Sequence, residues 1–201
     1  MLSKSVFLLT AIFFVLFSAS AYAVVILDCN SGGRYEDMGD GTVQDCRSGL
    51  IWLKNANCSD NAGGIDKSLE VLTWYDALKW VAGLGSGLCG LTDGSSSGDW
   101  RLPTKTEWMA MVASAKKLGI INPPITNGAG TAPWNDGDVF INVLAGCSYW
   151  SSTTDMDYAD YAWMIITDNR GMFSGAKSLA SGWIWPVRGG QSGSFGKLII
   201  Q

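Results

Sequence analysis

An α+β domain is what the sequence predicts, and three observations predict it. Two segments carry apolar residues at helical spacing behind a threonine cap. Short alternating segments set off by Gly/Asp turns lie at both ends of the chain. A long stretch without periodicity separates the second helix from the last strands, which should form a terminal antiparallel sheet.

The first segment is no part of that domain. MLSKSVFLLTAIFFVLFSASAYA joins a basic Lys4 to an apolar run from Val6 to Phe17 and ends Ala21-Tyr22-Ala23. A positive start, an apolar centre too short to span a bilayer and an A-x-A end read as a cleaved secretory leader over 1–23, with the mature chain starting near Val24. Residues 24–191 suit one domain, and 192–201 read as a glycine-rich linker with a short strand from Phe195 to Ile200. The product should be secreted, periplasmic or on the cell surface. Without Lys4, 13 basic side chains stand against 18 acidic ones, a net charge of −5. No Lys/Arg cluster is visible beyond Lys116-Lys117, which argues against nucleic acid as a partner.

The five cysteines agree with export, since an oxidising compartment pairs them. Spacing favours Cys29–Cys46 and Cys58–Cys89 with Cys147 left over, although five cysteines in two bridges allow other pairings. The chain contains no histidine. That removes Ser-His-Asp and Cys-His catalysis and histidine-ligated metals, leaving carboxylate pairs, a lone thiol or oxygen-ligated calcium.

In chain order, Asp40-Gly41 and Ser48-Gly49 mark hairpin turns that lead into a strand from Leu50 to Leu53. The acids between Asp37 and Asp45 resemble a calcium loop, but Met38-Gly39 break the alternation of oxygen ligands, so a turn is expected. Thr73 with Asp76 forms a cap, and Trp74, Ala77, Leu78 and Val81 then repeat as one helix face that ends near Gly83 or Gly85. Thr104 with Glu107 forms a second capping box; Trp108, Met111, Val112, Ala115 and Leu118 make its apolar face, and Gly119 stops it. Residues 120–146 are irregular and include Trp134-Asn135-Asp136 and Asp138, whose composition suits stacking and hydrogen bonding to a sugar. Four strands should follow, over Tyr149–Thr153, Tyr161–Thr167, Met172–Ala176 and Trp183–Arg188, with a hairpin turn at Asn169-Arg170-Gly171.

The segment GDWRLPTKTEW places Arg101 and Glu107 between Trp100 and Trp108. An arginine there could grip a carboxylate or sulfate with its fork. The structural alternative pairs Arg101 with a buried acid such as Asp99, or with strand-end carbonyls, and makes Glu107 a helix cap that tolerates Gln. The structural reading is the stronger for Arg101, Glu107 and Arg188 alike, with Trp100, Trp108 and Trp150 as core.

The motifs DGTVQDCRSGLIWLKNANC, TWYDAL, CGLTDGSSSGDWRLPTKTEW, YWSSTT, YAW and WPVRGG occur in that order. Together they resemble the Lcl C-terminal domain family, called after a bacterial collagen-like adhesin, from about Tyr35 to Gln191. The resemblance implies a C-type-lectin-like architecture, also found in formylglycine-generating enzymes, and an adhesin-like role in binding. It also raises an oxidase of that enzyme's kind, which needs two copper-binding cysteines where this chain offers only Cys147. The iron-dependent relatives need histidines. The expectation is therefore a non-catalytic binding module for carbohydrate or another surface component, with a structural surface subunit as the alternative. Trp134-Asn135-Asp136 also resembles the sugar-binding calcium motif of C-type lectins, but the companion E-P-N or Q-P-D tripeptide is missing from the sequence. A neutral glycan or a surface protein is the expected partner, with Trp134, Asn135, Asp136 and Asp138 as the ligand-binding candidates and calcium as the one cation in question.

Overall fold

The computed structural model describes residues 29, 32–68, 70–168 and 170–189; the leader and the expected Phe195-to-Ile200 strand lie outside them. Two helices and two antiparallel sheets make an α+β domain. The first sheet has the order β1-β2-β3-β7, from β1 (Tyr35–Asp37), β2 (Thr42–Asp45), β3 (Ile51–Leu53) and β7 (Val187–Arg188). The second is the meander of β4 (Ser148–Thr154), β5 (Tyr161–Ile166) and β6 (Gly171–Ala176). Between β1 and β2 the acids serve the turn: Asp37 accepts from the Gly39 amide and Asp40 from the amide and hydroxyl of Thr42. These are Asx turns, in which short acids satisfy their own backbone.

Both helices start where threonine supplies an acceptor. α1 (Trp74–Ala82) is capped by Thr73, which accepts from the Asp76 amide, and ends at Gly83. α2 (Lys105–Lys117) has a complete capping box between Thr104 and Glu107. It ends in a Schellman motif: Gly119, at φ +74°, donates to Lys116 O and Ile120 to Ala115 O. That motif corrects the expected apolar face. Leu118 sits in the cap and is 51% exposed, while Ile120 beyond the turn goes into the core.

The last expected strand also needs correction. Residues 183–188 do not extend the terminal sheet but connect the two sheets. Trp183 exchanges hydrogen bonds with β4, donating to Ser148 O and accepting from the Trp150 amide. Val187 and Arg188 then pair with Trp52 and Ile51 of β3. Pro186 lies between, where a residue without an N–H cannot sustain a ladder on both sides.

The core lies where this connection passes. Trp185 touches Trp52, Trp108, Phe140 and Tyr149 at ring-centroid distances of 5.0–5.9 Å. Indole N–H groups tie the layers together: Trp185 donates to Leu53 O, Trp108 to Trp150 O, Trp150 to Leu72 O and Trp80 to Asp60 O. Large rings supply the buried area and their single donors fix its register. The disulfides Cys29–Cys46 and Cys58–Cys89 are the two the spacing favours, and Cys147 is free.

Candidate functional site

Arg101 is held in an antiparallel bridge with Val187, the two residues exchanging 2.9 Å backbone hydrogen bonds. From there its guanidinium forks onto Glu107 at 2.8 and 2.7 Å and also donates to Leu102 O and Gly189 O. The same carboxylate accepts the Thr104 amide at 2.7 Å. Burial pushes the Glu107 carboxyl toward its neutral form, but the hydrogen bonds from Arg101 and Thr104 outweigh it and hold the pKa below the ordinary value. Asp99, the acid expected beside Arg101, instead accepts the Ser96 amide. A helix puts its third residue back beside its cap, so Glu107 and not Asp99 faces the strand that carries Arg101.

Arg188 is engaged in a second pairing. Its guanidinium lies 3.0 Å from the Asp93 carboxylate and 5.6 Å from the centroid of Trp100. Asp93 also accepts from the amide and hydroxyl of Ser95, whose oxygen receives the Trp100 indole N–H. The Arg101–Glu107 and Arg188–Asp93 pairs thus form a clasp between α2, β7 and the loop ahead of Trp100. Trp100, Trp108 and Trp150 are buried beneath it.

The loop candidates stand apart from the clasp. Trp134 is half-buried against the core, and its indole donates to Phe140 O. Asn135 and Asp136 are exposed, on either side of a backbone bond from Asp138 N to Asn135 O. Asp136 accepts the Asn142 amide at 2.9 Å, and Asp138 accepts the Val139 amide. Asn142 in turn donates to Asn55, which anchors the loop to the end of β3. Asn135 is exposed, and no hydrogen bond to its side chain is found among the described residues. An open depression of about 420 Å³ lies nearby in sequence, between the end of α2 and residues 131–133, but none of the four candidates lines it. Among the described residues, the groups of three that could hold a metal are Cys29/Glu36/Cys46 and Cys58/Asp60/Cys89, and in both the sulfurs are spent in disulfides. Asp136 and Asp138 belong to neither.

Three cations are buried among the described residues: Arg34, Lys67 and Lys177, the last donating to Thr154 Oγ1 and Ala159 O. Arg34 is buried against Asp45 in a bidentate pair at 3.0 Å. Lys67 is fully buried, donates to Cys58 O and sits 4.7 Å from the Trp80 centroid. Burial lowers its pKa to about 8, against the smaller opposing pull of Glu70 and Asp60.

The family model described as the Lcl C-terminal domain matches residues 41–188, which takes in the clasp, the loop and both sheets. The chain belongs to the Lcl C-terminal domain family. No curated protein matches it. In this Lcl-type domain the ordered motifs are thus residues of the clasp and core. No helix among the described residues is long and apolar enough to cross a membrane.

Proposed function

We propose that this domain is a non-catalytic binding module of an exported, surface-associated protein, and that it recognises a neutral glycan through the loop from Trp134 to Asp138. One observation carries the reading: the residues with chemical potential are spent on internal pairing, while the loop turns polar groups outward. Arg101 is saturated by Glu107 and two carbonyls, Arg188 is paired with Asp93, and four of five cysteines are bridged. Asn135 and Asp136 face solvent on a backbone braced by Asn142 and Asn55, a rigid presentation that lowers the entropy cost of binding. Two disulfides agree with an oxidising compartment, and the family supports an adhesin-like role.

A glycan array probed with the full chain, with and without a chelator, tests the reading. Binding to neutral oligosaccharides that Asn135→Ala or Asp136→Ala weakens is the expected result. A signal confined to sulfated glycans, or none at all, overturns it. Loss of signal in the chelator would assign calcium to the loop.

A further inference from the structure

Tyr158, Tyr161 and Trp163, the last two from the YAW motif, form a second aromatic surface. Tyr161 opens β5 and Trp163 follows two residues later, so both side chains stand on the same face of the sheet. Their cross-strand partners on β6 are Ala176 and Ser174, too short to cover a ring. Tyr158, in the turn before β5, meets Tyr161 edge-on, with centroids 5.9 Å apart and planes at 61°. They are 64% and 39% exposed and make a contiguous aromatic corner between the turn and the sheet. The turn is rigid, because Tyr161 N donates to Tyr158 O and Asp155 N to Tyr161 O, both at 2.9 Å.

The charges around this corner narrow the choice of ligand. Lys105 places its ammonium 3.0 Å from the Trp163 centroid, beside the Asp155 carboxylate, which accepts the Ser174 hydroxyl. That cation is engaged by the Trp163 ring. Asp157 and Asp160 are exposed in the same turn and give the rim acceptors, while the neighbouring Lys177 ammonium is spent on Thr154 Oγ1 and Ala159 O. A sulfated or carboxylated chain is repelled there, whereas a neutral sugar offers an apolar ring face to a tyrosine and hydroxyl donors to carboxylates. The depression at the end of α2 includes none of these residues.

We propose that the corner formed by Tyr158 and Tyr161, with Asp157 and Asp160 at its rim, is a stacking subsite for one neutral pyranose. The proposal rests on the reading of the domain as a neutral-glycan binder, and it places a second contact outside the 134–138 loop.

The test uses the full, disulfide-bonded chain on an array of neutral hexose and N-acetylhexosamine oligosaccharides, with Tyr158→Ala, Tyr158→Phe, Tyr161→Ala and Asp136→Ala beside the wild type. Tyr158→Ala and Tyr161→Ala should each weaken binding at least about tenfold, equivalent to about 1.4 kcal/mol, with Tyr158→Phe close to wild type. Tyr158 is a turn residue pointing into solvent, so its removal leaves the fold in place even if Tyr161→Ala does not. Wild-type binding that only Asp136→Ala weakens overturns this subsite while the proposed function stands. Absence of wild-type binding to every neutral oligosaccharide overturns both, and capture of a fluorescent lysine-rich peptide at this corner in place of sugar overturns the ligand class.

Discussion

Replacing Glu107 separates architecture from chemistry at the clasp. Its carboxylate accepts two hydrogen bonds from Arg101 and one from the Thr104 amide, all between 2.7 and 2.8 Å. The Arg101 side chain is 34% exposed and that of Glu107 19%, so solvent screening reduces their bridge to about 1 kcal/mol. Loss of the reciprocal cap adds about 1 kcal/mol. Glu107→Ala should therefore cost about 2 kcal/mol, a fall in melting temperature of about 4–8 °C for a domain of this size. Glu107→Gln keeps one acceptor but turns an NH₂ group toward the guanidinium, so it should cost about 1 kcal/mol, more than a cap alone implies. The Glu107 pKa lies below its unfolded value. The stability it contributes is thus fully present above the unfolded pKa and disappears as pH falls through the folded one. Urea denaturation of wild type and Glu107→Ala at pH 7 and at pH 3 measures this, and the gap between the two proteins should narrow in acid. Unchanged melting, combined with loss of glycan binding, would refute the structural assignment and move Glu107 into a functional site.

Lys67 gives a slope of the same sign in a higher pH window: its folded pKa of about 8 lies below the ordinary lysine value, so stability rises with pH between about 8 and 10 by up to about 1.4 kcal/mol per unit. Above that range the buried Tyr35 and Tyr149, whose pKa values burial raises, work against it. Denaturation at pH 8 and 10 should show wild type gaining on Lys67→Met, and parallel curves would contradict the buried charge. Gly83→Ala should prevent the soluble fold or cost several kcal/mol, because its Cβ would lie 2.1 Å from Gly63 N and 2.2 Å from Gly63 Cα; a melting temperature within a degree or two of wild type would refute that contact. Cys58→Ser with Cys89→Ser opens a loop spanning 31 residues and should cost about 3–4 kcal/mol in the chain-entropy treatment, read out by thermal denaturation.

What the sequence made legible was local. Thr73-x-x-Asp76 and Thr104-x-x-Glu107 located both helix starts because a cap is a short-range hydrogen-bond pattern. The expected strands Tyr149–Thr153 and Tyr161–Thr167 coincide with β4 and β5, since short β-prone runs between turns are also a local signal. The crossing of residues 183–188 between sheets depends on Pro186 and on partners 130 residues upstream, which no local period encodes. Arg34 and Lys67 look like surface cations in one dimension. Their burial follows from Asp45, Ser114 and Trp80 arriving from elsewhere in the chain. The strand from Tyr161 was legible, but the exposure of its aromatic face was not, because only the register with Ala176 and Ser174 shows that face open.

The central claim is a binding surface for neutral sugar on an acidic domain, and the salt dependence of binding tests it most directly. Affinity for the best neutral oligosaccharide, and retention on immobilised heparin, should be measured in low salt and at physiological ionic strength. Neutral-sugar affinity should stay nearly constant and heparin retention weak throughout, since Lys116-Lys117 is the one adjacent basic pair in a chain of net charge −4. Tight heparin binding in low salt that disappears at physiological ionic strength would contradict it, and would mean that a basic patch assembled by the fold outweighs the net charge.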